Sequence, residues 1–253
     1  MKPIRSVFLR LNNSVYFIWI SIFLLAALNY VLDSNLTGNE LTKLVGAKVW
    51  ADPSYLKGDW YFSELNTSQI PFFVLIFPLV KYLSLLWVSI IGRIMVILLL
   101  TFPLAKISKR IGLKAITATI AIGIFIWLHQ CLFVNEWIFG EFENKVIAYA
   151  LVFFGIEFLL SKKYLWFAFV MGLAMSMHIL VGGWAFLIVL TCLIFSGDIG
   201  ISKTEWLKML FIWGVGASFS LYVVAESLLE VASSFSHDPN WIYVMIRNPR
   251  HIY

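Results

Sequence analysis

The sequence predicts an all-α fold: a polytopic transmembrane helical bundle of about seven spans, with an interfacial helix in its first outer loop. Three observations predict it. Hydrophobic residues make up 61% of the 253 and charged residues only 13%, against roughly 45–50% and 25% in soluble domains. The apolar residues gather in runs close to the ~20 that a helix needs to cross hydrocarbon. The basic residues gather in alternate loops, as positive-inside asymmetry requires. A soluble fold of this size cannot hide so much apolar surface, so the soluble-enzyme and nucleic-acid-binding classes are excluded. The net charge of +5 is then the usual cytoplasmic excess of Lys and Arg.

The first span runs from Val15 to Leu32 behind Lys2, Arg5 and Arg10. It is too long for a signal-peptide core, and Leu28-Asn29-Tyr30 offers no small-residue cleavage site, so it stays attached with the N-terminus inside. Ile70–Ile107 has room for two short spans but carries Pro71, Pro78, Lys81, Arg93 and Pro103. Charge decides the reading. Only if Leu85–Ala105 crosses alone does the cluster Lys106, Lys109, Arg110, Lys114 lie inside. Ile70–Leu83 is therefore an interfacial or re-entrant helix, kinked or broken near Pro78. The remaining spans are Leu113–Phe133, Val146–Leu160, Tyr164–Leu180, Gly183–Phe195 and Lys208–Leu228. This topology puts eleven basic and two acidic residues inside, against seven basic and ten acidic residues outside. Cys131 and Cys192 fall in apolar segments with no CxxC neighbour and read as packing residues.

Chemistry-bearing residues concentrate on the outer side. In the first outer loop, Leu41, Leu44, Val45 and Trp50 lie among Glu40, Lys43 and Lys48, which suits a helix in the interface. Asp52 and Asp59 follow within Trp50–Phe62, where Pro and Gly make turns. Spacing alone favours plain turn chemistry for both, with Asp52 capping and Asp59 starting a helix. The segment Asn135–Lys145 crowds Glu136, Glu141 and Glu143 with Trp and Phe just ahead of a span. Helix-dipole preference accounts for acids there, though not for the crowding. His178 closes one span, and Gly182-Gly183 would permit a tight reversal into the next. Arg93 lies inside its span and needs an acid or a lipid phosphate, with Glu226 a partner by depth. Glu157 is explained by Lys162 and Lys163 nearby. All four histidines fall outside or near an outer end. The tail residues Arg247 and His251 would suit an outer-leaflet anion.

At these residues the chain resembles the GT-C class of polyprenyl-phosphate-sugar glycosyltransferases, and more narrowly bacterial membrane proteins of that build. The likeness runs from about the first span to the C-terminus. It rests on Asp52, Pro53, Gly58 and Asp59; on Gly140, Glu143, Lys145, Ala148 and Tyr149; on His178, Val181, Gly182 or Gly183, and Trp184; and on Arg247, Pro249 and His251. Arg250 stands where the last pattern has His, which puts a two-histidine role in doubt. The resemblance implies an N-terminal half of a longer protein, in a bacterial inner (plasma) membrane with its N-terminus cytoplasmic. It implies sugar transfer from a polyprenyl-phosphate donor at the outer face. Acid–base logic would make Asp59, then Asp52, the general base. Glu143, Lys145, His178, Arg247, His251 and Arg93 would bind donor or acceptor. Asp52, Asp59, Glu143 and His178 could bind a divalent ion, but no local ligand spacing supports a metal. The rival reading is a transporter or flippase for a lipid-linked or anionic solute, with Arg93, Glu157 and Glu226 along its path. A non-catalytic membrane scaffold is a third.

Overall fold

The computed structural model describes residues 12–31, 36, 38–59, 61–62, 67–128, 130, 137–196 and 201–230. Among them there is no strand. The helices are α1 (Val15–Tyr30), α2 (Gly38–Ala51), α3 (Ile70–Tyr82), α4 (Leu85–Arg110), α5 (Ala115–Trp127), α6 (Asn144–Leu160), α7 (Tyr164–Met177), α8 (Ile179–Phe195), α9 (Lys203–Gly216) and α10 (Ser218–Glu230), with a 3-10 turn at Thr67–Gln69. The all-α class is therefore observed. The seven-span count is not: among the described residues, by length and composition one helix, α4 at 26 residues, can cross a membrane alone. The pair α9 and α10 passes the same test only together, bent by 71°. The last expected span, Lys208–Leu228, is thus two helices broken at Ala217. Five more apolar helices fall in the 10–17 residue range.

Boundaries follow local chemistry. Pro78 does not break α3, which continues through it to Tyr82. The chain turns instead at extended Leu83, and Ser84 caps α4 by accepting from the Trp87 amide. Ser202 and Glu205 form a reciprocal capping box at the start of α9. The reversal expected at Gly182-Gly183 occurs earlier, at His178, which ends α7 and caps α8 in one residue. Both glycines lie inside α8, where Gly182 lets that helix approach the Met175 backbone.

Helix α4 packs on α1 and α6, α1 also on α5, and α7 on α6, α8 and α9. Side-chain bonds define two opposite ends. At one, Arg110 Nη1 and Nη2 donate to Leu160 O (2.9 Å) and Ser161 Oγ (2.6 Å). Glu157, 4% exposed, meets Lys106 at 3.1 Å and Arg110 at 3.9 Å. Its ion-pair partners therefore come from α4, and not from the neighbouring Lys162 and Lys163, because the α4 and α6 C-termini lie side by side. At the other end, Gln130 Nε2 donates to Tyr30 Oη (2.7 Å) and Phe139 O (2.9 Å), while its Oε1 accepts from the Ile138 and Phe139 amides.

Helices α7 and α9 approach closely. A methyl at Gly172 would stand 2.4 Å from Trp213 O, and one at Gly216 would stand 2.5 Å from Phe169 O. Small residues at a helix contact allow such backbone approach. Beside it, Phe186 of α8 stacks on Trp213 with centroids 4.6 Å apart. Gly172→Ala must push α9 away and should cost about 1–3 kcal/mol, read as a lowered unfolding midpoint in detergent. Gly183→Ala, which meets nothing within 4 Å, should leave that midpoint unchanged.

Candidate functional site

The site is organised by a carboxylate that is fully buried. Glu40, in the first turn of α2, is 0% exposed and Arg93 of α4 is 2% exposed. Arg93 Nη2 pairs with Glu40 Oε2, and Nε donates to Oε1 at 3.2 Å. Ser89, one turn earlier on α4, donates to Oε1 at 2.7 Å, and the Phe142 amide does so at 3.2 Å. Arg93 Nη1 donates to Tyr30 O at 3.2 Å, the last residue of α1. The partner of Arg93 is therefore Glu40. Glu226, expected by depth, instead accepts from Tyr222 Oη at 3.3 Å on its own helix. The missed signal lay in helical spacing: Glu40, Leu44 and Ala47 share one face of α2, and all three are buried. The charge thus lies on the packed face of α2, not on its watery one.

Gly92 extends the arrangement. The Phe142 ring lies where a Cβ on Gly92 would be, 2.0 Å from the nearest ring carbon. Phe142 also meets Phe72 edge-on at 5.4 Å. With Phe142 fixed by Gly92 and Glu40, the next residue begins the candidate site. Glu143 is the N-cap residue of α6 and is 4% exposed. Its side chain makes no capping bond. Lys145 Nζ stands 3.3 Å from Glu143 Oε1, within ion-pair range but not aligned as a hydrogen bond among the described residues. Asn144 Nδ2 donates to Met177 O at 3.0 Å, tying the start of α6 to the end of α7. His178 comes next, and its Nδ1 accepts from the Val181 amide at 3.3 Å. An imidazole whose Nδ1 accepts carries its neutral-form proton on Nε2.

Glu143, Lys145 and His178 consequently line one cleft of about 590 Å³, with Asn39, Lys43 and Tyr149 on its polar side. Its other wall is apolar and belongs to α8: Leu180, Val181, Trp184, Ala185 and Ile188. Leu180, Trp184 and Ile188 are well exposed, so this wall continues onto the outer surface of the bundle.

The two aspartates lie elsewhere. Asp52 Oδ1 accepts from the Ser54 hydroxyl at 2.6 Å and the Ser54 amide at 3.1 Å. Those two bonds, the hydroxyl first, hold the Asp52 carboxyl below the ordinary carboxylate range. The turn is therefore fully supported at neutral pH and loses that support only as pH falls through the lowered value. Asp59 Oδ1 accepts from the Tyr61 and Phe62 amides at 2.9 and 3.3 Å. Asp59 lines a separate hollow of about 430 Å³ with Trp50, Tyr55, Lys57 and Phe62. The loop is thus a pair of Asx turns, the chemistry that spacing favoured. Arg93 is committed to Glu40 and lines neither space. Arg247 and His251 lie outside the described residues. Among those described, no three of His, Cys, Asp and Glu come together as a metal-ion site.

Removing one member of a buried pair leaves an uncompensated charge, at about 3–5 kcal/mol. Glu40→Ala should therefore lower the unfolding midpoint sharply, and Glu40→Leu with Arg93→Met should recover much of the loss, both read by thermal unfolding in detergent. Compared with known proteins, this chain matches no protein-family model, no curated protein and no solved structure.

Proposed function

We propose that the chain is an integral membrane protein of glycosyltransferase type, which takes a sugar from a polyprenyl-phosphate donor at the face bearing the Glu143–Lys145–His178 cleft. One observation carries this reading: a polar pocket of two lysines, a histidine and a buried carboxylate opens directly onto an exposed apolar helix face. That pairing suits a ligand with an anionic head and a long hydrocarbon tail. The membrane reading draws on the same surface logic. Large apolar side chains such as Trp127, Trp166, Phe195 and Phe211 point outward from several helices, and water penalises such a belt where lipid does not. The end with Lys106, Arg110, Lys162 and Lys163 is then cytoplasmic and the cleft end external.

In the transfer, the acceptor oxygen bonds to the anomeric carbon as the bond from that carbon to phosphate oxygen breaks. The polyprenyl phosphate leaves with the electron pair. Lys145 and Lys43 balance its charge, and the His178 Nε2–H supplies a directed donor. The proton of the acceptor hydroxyl goes to a carboxylate. We assign that duty to Glu143, the carboxylate of the cleft, and a turn-forming duty to Asp59.

A second reading, movement of a lipid-linked or anionic solute, draws on the 71° break between α9 and α10, since broken helices build many transporter sites. The freed Gly216 carbonyl, however, accepts from the Ser176 hydroxyl at 2.8 Å, which fits a structural bend.

The test is release of polyprenyl phosphate from a panel of polyprenyl-phosphate sugars by the purified full chain with membrane extract as acceptor. Glu143→Gln should lower release by about 10²–10⁴-fold, the usual contribution of a positioned acid or base. Asp59→Asn keeps an Asx-turn acceptor and should retain turnover. The opposite pattern would return the base role to Asp59. Solute accumulation in proteoliposomes with no phosphate released would select transport.

A further inference from the structure

The end of the bundle remote from the cleft carries a second built space. The turn between α6 and α7 and the first two turns of α9 enclose a cleft of about 460 Å³, lined by Lys162, Lys163, Tyr164, Trp166, Glu205 and Lys208 among others. Three cations face one carboxylate there. That carboxylate is already engaged: Glu205 Oε2 accepts from the Ser202 amide at 2.9 Å and the Ser202 hydroxyl at 3.0 Å. The three lysines are exposed, and Lys163 Nζ also lies 6.0 Å from the centroid of the Phe158 ring.

The conformation of Lys162 is a separate observation. Its φ is +57°, the left-handed region that glycine occupies without cost and other residues occupy at a penalty. The Lys163 amide bonds back to Phe158 O at 2.8 Å and the Lys162 amide to Leu159 O at 2.9 Å, closing α6 in the manner where glycine is usual. A lysine in that position gives up backbone comfort and places a cation at the cleft. Local strain of this kind points toward function when the strained side chain faces a site.

The surroundings specify the partner. Leu165 and Trp166 of α7 are exposed beside the lysines, and Leu207, Leu210 and Phe211 of α9 continue the apolar surface away from the cleft. A ligand held here meets cations at its head and hydrocarbon-compatible surface along its body. We propose that this cleft binds the phosphate headgroup of an anionic phospholipid of the cytoplasmic leaflet, with Lys162, Lys163 and Lys208 as its cations and the outer faces of α7 and α9 against its acyl chains. The proposal rests on the membrane reading given above and is independent of the sugar-transfer reading.

The experiment uses the full chain in neutral detergent, titrated with phosphatidylglycerol, phosphatidylcholine or inorganic phosphate, with the unfolding midpoint as readout. Phosphatidylglycerol should raise the midpoint, and the other two should not. Lys162→Gly suits the left-handed backbone, so the variant should fold at least as well as the parent without lipid. It should nevertheless need about fivefold more phosphatidylglycerol for the same shift, the ratio expected for about one charge contact. Lys162→Arg should keep the parent response. An undiminished phosphatidylglycerol response in Lys162→Gly would overturn the site, and an equal shift with inorganic phosphate would overturn the lipid assignment. Release of the chain from membranes by alkaline wash would sink the membrane reading itself, whereas retention with no preference for phosphatidylglycerol would sink only this proposal.

Discussion

Moving a carboxylate and a guanidinium out of water costs several kcal/mol per ion, and mutual attraction offsets this only when the remaining lone pairs and protons also find partners. Glu40 and Arg93 meet that condition. One carboxylate oxygen accepts from Ser89 Oγ, Arg93 Nε and the Phe142 amide, the other faces Arg93 Nη2, and Arg93 Nη1 reaches Tyr30 O. Four stretches of chain are thereby fixed to one charge centre: the end of α1, the start of α2, the first third of α4 and the strap entering α6. Such a pair does not stabilise by its Coulomb energy alone. It specifies: any register of α2 or of the strap that separates the charges leaves one of them buried and unpaired. Lys48 Nζ, donating to Val80 O at 2.8 Å, then holds the far end of α2 against the last turn of α3.

The bundle is fastened at both ends of the α4–α6 contact by the same physics. At one end the Phe142 amide reaches Glu40, which Arg93 of α4 holds. At the other, Glu157 of α6 meets Lys106 and Arg110 of α4, and Ser161 donates to Glu157 at 3.0 Å. The α7–α9 contact is held differently, by glycines that admit backbone to backbone and by Ser176 and Ser220 hydroxyls donating to carbonyls across the helices. Polar fastening and small-residue packing therefore divide the molecule between them.

Much of this order was legible in the residues, and the failures have a common cause. Apolar runs located α1, α4, α6 and α7 within a few residues, because helix formation there depends on local hydrophobicity and on breaks such as Ser84. What local pattern cannot supply is which side of a helix finds a partner. Leu41, Leu44, Val45 and Trp50 among Glu40, Lys43 and Lys48 suit a helix in the interface, but that pattern does not tell that Glu40 shares the packed face with Leu44 and Ala47. Arg93 announced a need for a counter-charge without naming it, because the partner lies 53 residues away. The break at Ala217 was equally hidden, since the sequence over 208–228 reads as one apolar run. On the site, Glu143, Lys145 and His178 line one cleft because each begins or ends a helix at the same end of the bundle. Asp52 and Asp59, in the loop after α2, each spend an oxygen on residues of that same loop, and no spacing argument tells a turn carboxylate from a reacting one.

His178 joins the architecture to the chemistry of the cleft. Its backbone ends α7 and begins α8, and its Nδ1 accepts the Val181 amide that would otherwise lack a partner at the helix start. That bond requires Nδ1 to be free of a proton, which leaves the neutral ring's N–H on Nε2. The direction of α8, and with it the apolar wall of Val181, Trp184 and Ile188, is thus set by the residue whose imidazole lines the polar half of the cleft. The opposite side, Glu143, Lys145 and Tyr149, rides on α6, which Asn144 ties to Met177 just before His178. Two bonds within one turn of each other, Asn144 to Met177 O and Val181 to His178 Nδ1, thus lie where the two walls of the cleft meet. A proton on Nδ1 would remove the second bond and add positive charge to the polar wall.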